Sequence, residues 1–165
     1  MALSAIAKTK RDGLITLKDG TGSPVTMDVI YEDGDLSFEG ISKHQAELIA
    51  FFDRGVFYSV RKSNQKFVTF KFTAHFTELS DATNSNVYDF INFANKYSAN
   101  VSTLGSTAEV KTISVLWTVE GSGHGDASNH TLLITHCACE ISIAEGEPDK
   151  FTITGTSYSS TITAT

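Results

Sequence analysis

Cysteine, proline and tryptophan are scarce in this sequence, with two, two and one among 165 residues. The two cysteines, Cys137 and Cys139, are separated by one residue and form no framework of the kind that stabilises small secreted domains. No apolar run approaches the roughly 18 residues of a membrane-spanning helix. A single domain of this length buries roughly 70% of its unfolded surface and so needs no metal to fold.

Basic residues are also in the minority. There are 13 Lys and Arg against 19 Asp and Glu, so the net charge is −6 and the pI is about 5.3. A protein that grips nucleic-acid phosphates usually presents a basic surface, so this balance argues against ordinary DNA binding. A surface past which DNA must slide without sticking would carry this sign of charge.

The first segment, MALSAIAKTKRDG, has a short apolar run that is followed, not preceded, by Lys8, Lys10 and Arg11. This order is unlike a secretory signal, so we expect residues 1–12 to form an N-terminal arm of a protein made and kept in a cytoplasm. No repeat or composition shift marks a second domain. Residues 1–165 are therefore predicted to form one domain, with 157–165 as a C-terminal arm or last strand.

Alternation of apolar and polar residues dominates the chain. In VTFKFTAHF the apolar side chains Val68, Phe70, Phe72, Ala74 and Phe76 share one face, which predicts a half-buried strand. The same pattern predicts strands at 25–29, 113–119 and 151–154, and further strands are expected at 36–41, 47–52, 56–61 and 131–143. The sequence thus predicts an all-β fold.

One segment, NSNVYDFINFANKY, follows a helical period instead. Its apolar stripe consists of Val87, Phe90, Ile91, Ala94 and Tyr97. Asn84 or Ser85, just before it, suits an N-cap. We expect one amphipathic helix of about three turns packed on a sheet.

The segment GSGHGDASNHTLLITHCAC gathers residue types that bind zinc. The cysteines follow C-x-C spacing and the histidines are irregular, whereas structural zinc sites use pairs such as C-x₂₋₄-C and H-x₃₋₅-H. On a strand over 131–143, His136 and Cys137 would point to opposite faces. We therefore predict no metal site, but a loop over 121–129 followed by a strand with two small thiols.

No arrangement of residues points to catalysis. The sequence has no G-x-S-x-G motif, and DGTGSP lacks the Lys and Ser or Thr of a phosphate-binding loop. The acidic residues are spread along strands and loops. We predict that the protein is not an enzyme and has no cofactor.

The segment FDRGVFYSVRKSNQ, residues 52–65, mixes apolar and charged residues in a loose alternation. One interpretation is a hairpin packed on its own domain. The other is a protruding hairpin that docks on a neighbouring subunit, since Arg and Tyr are enriched at such contacts. In the second case the contact residues are Asp53, Arg54, Phe57, Tyr58 and Arg61.

Several segments, in this order, resemble the tail tube proteins of long-tailed, non-contractile bacteriophages. They are YEDGDLSFEG, then DRG at 53–55, DFINF at 89–93, and WTVEG through HGDASNHTLLI and CEISIAEGEPDKFTITGT at 117–156. The resemblance covers roughly residues 13–156, and each motif alone has modest specificity.

The resemblance implies a β-sandwich or partial barrel flanked by a single helix. It also implies hexameric rings that stack into a tube with a β-barrel lumen, located in the virion tail and assembled in the bacterial host cytoplasm. The implied partners are other copies of the chain, a tape-measure protein, and tail terminator and tip proteins. DNA would pass through the tube without specific binding, and no catalytic residues are implied.

A polar face is predicted near the Asp33–Gly34 dipeptide, which suits a tight turn. If the strands at 25–29 and 36–41 form a hairpin there, Asp28, Asp35 and Glu39 share one face. That face would line the lumen of the tube or form its outer surface, and we favour the lumen.

A competing function is a monomeric carbohydrate-binding or adhesin-like β-sandwich module. Such a module would also be acidic and rich in threonine. It usually presents an exposed aromatic platform, whereas the aromatic residues here fall mostly on the apolar side of their strands.

Overall fold

The computed structural model describes residues 13–18, 26–29, 36–75, 87–92, 102–104, 110–121, 126–146, 150–159 and 162–165. The elements in chain order are β1 (Gly13–Lys18), β2 (Thr26–Val29), β3 (Ser37–Glu39), β4 (Ala46–Asp53), β5 (Val56–Gln65), β6 (Val68–His75), α1 (Val87–Asn92), β7 (Ser102–Leu104), β8 (Val110–Val119), β9 (His130–Ala144), β10 (Lys150–Ser157) and β11 (Ile162–Ala164). Each strand predicted from alternation is present. The prediction of a mostly β fold is confirmed.

Most strands belong to one antiparallel sheet in the order β2-β1-β8-β9-β10-β6-β3. Strand β11 also pairs with β9, and β7 pairs with β8. Strand β11 lies in the segment 157–165, for which the sequence left an arm and a last strand open. Strand β1 was not predicted, because its apolar pattern is only two residues long, Ile15 and Leu17, although both are fully buried.

The core lies on one face of this sheet. Along β6 the side chains of Val68, Phe70, Phe72 and Ala74 are all at most 3% exposed, as alternation predicts. Burial of each large apolar side chain stabilises the fold by about 1.5–3 kcal/mol. The other buried core residues lie on β1, β8, β9 and β10: Ile15, Leu17, Ile113, Val115, Ile134, Cys137, Phe151 and Ile153.

The sheet curls strongly into a half-barrel. Strands β3 and β8 are four steps apart in the hydrogen-bonding order, which is about 19 Å in a flat sheet at about 4.8 Å per step. Yet the rings of Phe38 on β3 and Trp117 on β8 have centroids 6.1 Å apart. The edge strand therefore bends back over the core, so an aromatic contact helps to close the open side.

The helix α1 covers Val87–Asn92, and its Ile91 packs against the core. A helix in this segment is confirmed. The N-cap and the remaining turns that were predicted lie outside the described residues. Among the residues that the structure describes, no helix is long and apolar enough to cross a membrane.

The predicted hairpin between β2 and β3 is wrong. Strand β2 pairs with β1, where Asp28 is opposite Thr16, and β3 pairs with β6, where Glu39 is opposite Thr69. Alternation shows which residues share a face, but it carries no information on which strands become neighbours. The turn itself and Asp35 lie outside the described residues, as does the arm at 1–12.

A β-bulge interrupts the alternation of β9. Ile134 is opposite Val115 and Cys137 is opposite Ile113, so two residues of β9 stand against one of β8. The backbone of His136 takes a φ of 52° at this point. Because of the bulge, Ile134 and Cys137 are both buried although they are three positions apart.

Candidate functional site

Strands β4 and β5 form a two-stranded sheet of their own, inserted in the chain between β3 and β6. The strands are 8 and 10 residues long. At about 3.4 Å per residue, the hairpin is about 27 Å long or more. All but two of residues 46–65 are exposed and the two strands form a sheet of their own, so the hairpin extends from the main sheet.

The tip of the hairpin is a tight two-residue turn. Arg54 and Gly55 both have positive φ, 49° and 84°, which is the pattern of a type I′ turn. Apart from Gly55 itself and its two chain neighbours, no described atom lies within 4 Å of the position that a Cβ on Gly55 would occupy. Glycine is present there because of the backbone conformation, and not because of crowding.

The hairpin exposes an unusual concentration of large apolar side chains. Of the 14 exposed large hydrophobic residues among those described, eight are on β4 and β5, and each is 45–76% exposed. They are Leu48, Ile49, Phe51, Phe52, Val56, Phe57, Tyr58 and Val60. A contiguous apolar surface of this kind is typical of an interaction site, since soluble monomers scatter such residues singly.

Both faces of the hairpin carry apolar side chains. The register places the pairs Ala50–Val60 and Phe52–Phe57 on one face, and Ile49–Arg61 and Phe51–Ser59 on the other. The rings of Phe52 and Phe57 meet edge to face at 6.3 Å. Because these side chains are exposed, the hairpin does not bury an apolar face on its own domain, and a lone two-stranded hairpin is only marginally stable in water.

A hydrogen-bonded joint connects the hairpin to the main sheet. Gln45 is 8% exposed, and its side-chain Oε1 accepts a hydrogen bond of 2.7 Å from the backbone N–H of Ser42. Its backbone N–H donates to the Ser42 carbonyl, and its carbonyl accepts from Lys66 N–H at 3.0 Å. A buried side chain held in this way fixes the direction in which the hairpin leaves the sheet.

Two further contacts fix the joint. Gly40 has a φ of 82°, and a Cβ on it would lie 2.6 Å from the carbonyl oxygen of Phe67. The ring of Phe67 packs on that of Tyr158, with centroids 5.0 Å apart. Tyr158 follows β10, so this pair ties the base of the hairpin to the main sheet.

The five contact residues predicted from the sequence all lie in the outer part of the hairpin and are exposed: Asp53, Arg54, Phe57, Tyr58 and Arg61. That they contact another subunit stays a prediction. The predicted contact list took only Asp53 from β4 and left out Phe51 and Phe52. The apolar run LIAFF was a signal for them, but it is also what a buried strand shows.

A groove of about 570 Å³ lies on the solvent side of β3, β6, β10 and β9. The strand register arranges its side chains in two rows across the four strands. One row is Ser37, Lys71, Thr154 and Glu140, and the next is Glu39, Thr69, Thr156 and Ala138; Tyr158 also lines the groove. Its charged groups are thus two carboxylates and one ammonium.

The residues that suggested a zinc site are dispersed. The ring Nε2–H of His130 donates to Asp126 Oδ2 at 2.6 Å, and this hydrogen bond is the main cause that lowers the pKa of Asp126. Both side chains are exposed, whereas Cys137 and Cys139 join the core. Within the described part of the chain, no three His, Cys, Asp or Glu side chains lie close enough to hold a metal ion, and His124 is outside it.

We therefore expect removal of metal to leave the protein unchanged. Dialysis against a strong chelator should not shift the melting temperature, because folding needs no ligand set to be filled. Calorimetry before and after dialysis, with zinc analysis of the purified protein, checks this. Stoichiometric zinc together with a large loss of stability on chelation would show that the prediction is wrong.

The two thiols are in an environment that keeps them protonated. Burial raises the pKa of Cys137 from 9.0 to about 12, and burial also raises the pKa of Cys139. Since the thiolate is the reactive form, neither group has the character of a nucleophile.

Alkylation should therefore be slow at both cysteines in the native protein and fast after unfolding in urea. The free energy of unfolding should also fall as the pH rises from 9.0 toward about 12, because in that window the unfolded thiol ionises while folded Cys137 keeps its proton. Mass spectrometry of labelled protein and urea titrations along this pH range check both points. In the Cys137→Ser variant, the free energy of unfolding should lose the part of its pH dependence that comes from Cys137. Equal alkylation rates in native and unfolded protein would contradict the prediction.

Neither a protein-family model nor a curated protein matches this chain. Its function is therefore inferred from its own surfaces.

Proposed function

We propose that this chain is the structural subunit of a bacteriophage tail tube, in which rings of six copies stack into a conduit for DNA ejection. The observation that carries the proposal is the β4–β5 hairpin, which extends from the main sheet and exposes apolar side chains on both faces. A surface of this kind becomes stable when it is buried against other copies. The hairpin contains the five contact residues predicted from the sequence, and its DRG motif at 53–55 is one of the segments that resemble tail tube proteins.

The curled sheet supports the same proposal. A half-barrel has open edges, and edge strands invite pairing with other chains. When copies surround a common axis, ring closure covers these edges, and a contact between two different surfaces repeats around the ring and from ring to ring. Tape-measure, terminator and tip proteins would then set the length of the tube and close its ends.

The acidic balance of the chain suits a conduit for DNA. With a net charge of −6 per copy, a tube repels phosphates on average and lets DNA pass without capture. Glu39 lies on the solvent side of the sheet, near Lys71 and Glu140 in the groove. That Asp28, Asp35 and Glu39 face the lumen stays a prediction. It was made from a hairpin between β2 and β3, and these two strands do not pair with each other.

The competing function is a carbohydrate-binding module. That function would be favoured by several exposed aromatic rings over a concave sheet face. In the described part of the groove the exposed ring is that of Tyr158, with Phe67 packed on it. Most exposed aromatic side chains are instead on the hairpin, where they suit a protein contact better than a sugar.

Electron microscopy of the purified protein tests the proposal. Negatively stained samples at high concentration should show rings or tubes, and the number of these particles should rise with protein concentration. Sedimentation on the same samples gives the size of the smallest stable assembly. Only monomers in sedimentation and only small single particles in micrographs, at all concentrations and salts, would contradict the proposal and favour the binding module.

A further inference from the structure

We propose that the groove on β3, β6, β10 and β9 is the receptor for the tip of the hairpin of a second copy of this chain. This inference rests on the proposed function and identifies the partner surface within the assembly. It assigns the contact to two different parts of the molecule, one on each copy.

Charge complementarity favours this pairing. The groove carries Glu39 and Glu140 with Lys71 between them, while the hairpin tip carries Asp53 next to Arg54. The register puts Thr154 between Lys71 and Glu140, so opposite charges lie two strands apart, about 10 Å. An arginine that approaches a carboxylate and an aspartate that approaches the lysine would orient the tip in the groove.

Aromatic groups are matched as well. The tip presents the Phe52–Phe57 pair, and the groove presents Tyr158, which is 46% exposed and packed on Phe67, itself 40% exposed. Both pairs are partly exposed in the free chain. Aromatic rings paired in this way across a contact exclude water from the charged groups beside them.

The hairpin carries enough apolar surface for a stable contact when both of its faces are covered. Over both faces together, its eight exposed apolar side chains present about 900 Å², if a fully exposed one of this size presents roughly 200 Å². A standard protein interface covers about 800 Å² on each partner. The groove takes the tip, and the length of the hairpin behind the tip covers the surface around it.

A copy cannot fill its own groove. The hairpin leaves from β3 and β6, the same strands that form one side of the groove, and none of the described residues that line the groove belongs to β4 or β5. Its tip lies about 27 Å from the joint at Gln45. Since tip and groove are different surfaces, the contact is head-to-tail, and it must either close into a ring or continue as a filament.

Engineered cysteines test the contact in the full chain. Arg54→Cys and Glu140→Cys are both at exposed positions, and the native cysteines are buried or partly buried, so background cross-linking is low. Under mild oxidation, the chain with both substitutions should give a ladder from dimer upward on a non-reducing gel. Each single variant alone should stay monomeric, and an equal mixture of the two single variants should give dimers and nothing larger.

The control is Arg54→Cys with Lys111→Cys, which places the second thiol on exposed Lys111 of β8, away from the groove. It should give no ladder. If the first pair gives no ladder while micrographs show rings or tubes, the groove is not the receptor but the tail-tube proposal stands. If there is neither a ladder nor any assembly, both are overturned. A ladder from the control as strong as that from the test pair also overturns the assignment of the groove.

Discussion

Replacement of Phe52 and Phe57 together by serine is expected to abolish assembly while the subunit stays folded. These rings form an edge-to-face pair and are 64% and 59% exposed in the free chain. Loss of one buried aromatic anchor from an interface costs about 2 kcal/mol or more. If the two losses add, the double substitution should raise the concentration needed for rings or tubes by about 1000-fold.

Sedimentation and negative-stain microscopy across a concentration series measure this effect. The melting temperature of the monomer should hardly change, because substitutions at exposed positions usually alter the free energy of unfolding by no more than about 0.5 kcal/mol. Ile143→Ser is the matched control, since Ile143 is 50% exposed but lies on β9 rather than on the hairpin. Normal assembly of the double variant would show that Phe52 and Phe57 do not form the contact between copies.

The second large effect is expected in the core, at Phe72→Ala. Phe72 is fully buried in the middle of β6 and stacks with Phe70 at 6.4 Å. Truncation of a buried Phe removes the transfer free energy of its ring and leaves a cavity, at a cost of about 3–5 kcal/mol. That is a large fraction of the total stability of a domain, about 5–15 kcal/mol.

Urea unfolding of the monomer, followed by fluorescence and circular dichroism, measures the loss. Phe72→Leu keeps most of the volume and should lose less, so a folded variant remains if the alanine variant does not fold. Phe57→Ala gives the comparison at an exposed position and should stay within about 0.5 kcal/mol of the wild type. A loss below about 1 kcal/mol for Phe72→Ala would mean that the core is not packed around this ring.

The joint at the base of the hairpin shows how closely fold and proposed function are connected here. The apolar surface of β4 and β5 is useful for assembly only if it is presented in one direction. Gln45 and Gly40 hold that direction through hydrogen bonds and a backbone conformation with positive φ. Both are at the base of the hairpin, far from its tip, so substitutions there are expected to act on assembly through geometry rather than through contact.

The sequence by itself determined which residues face the core. Strict alternation along β6 and β8 identified Phe70, Phe72, Ile113 and Val115 correctly, because side chains of a strand alternate between faces whatever the strand pairs with. The helix at 87–92 was identified for a similar reason, from its own local period. Local periodicity needs no knowledge of neighbours.

Only the tertiary structure decided the neighbours. Strands β2 and β3 lie at opposite ends of the strand order although they are close in sequence, since each pairs with a strand chosen by long-range burial. The bulge at His136 could not be read from the pattern, because it depends on the fit of β9 against β8. The sequence also did not show whether the hairpin is exposed. Phe51 and Phe52 would look the same in sequence if they were buried, and only the absence of a covering element in the described fold leaves them at the surface.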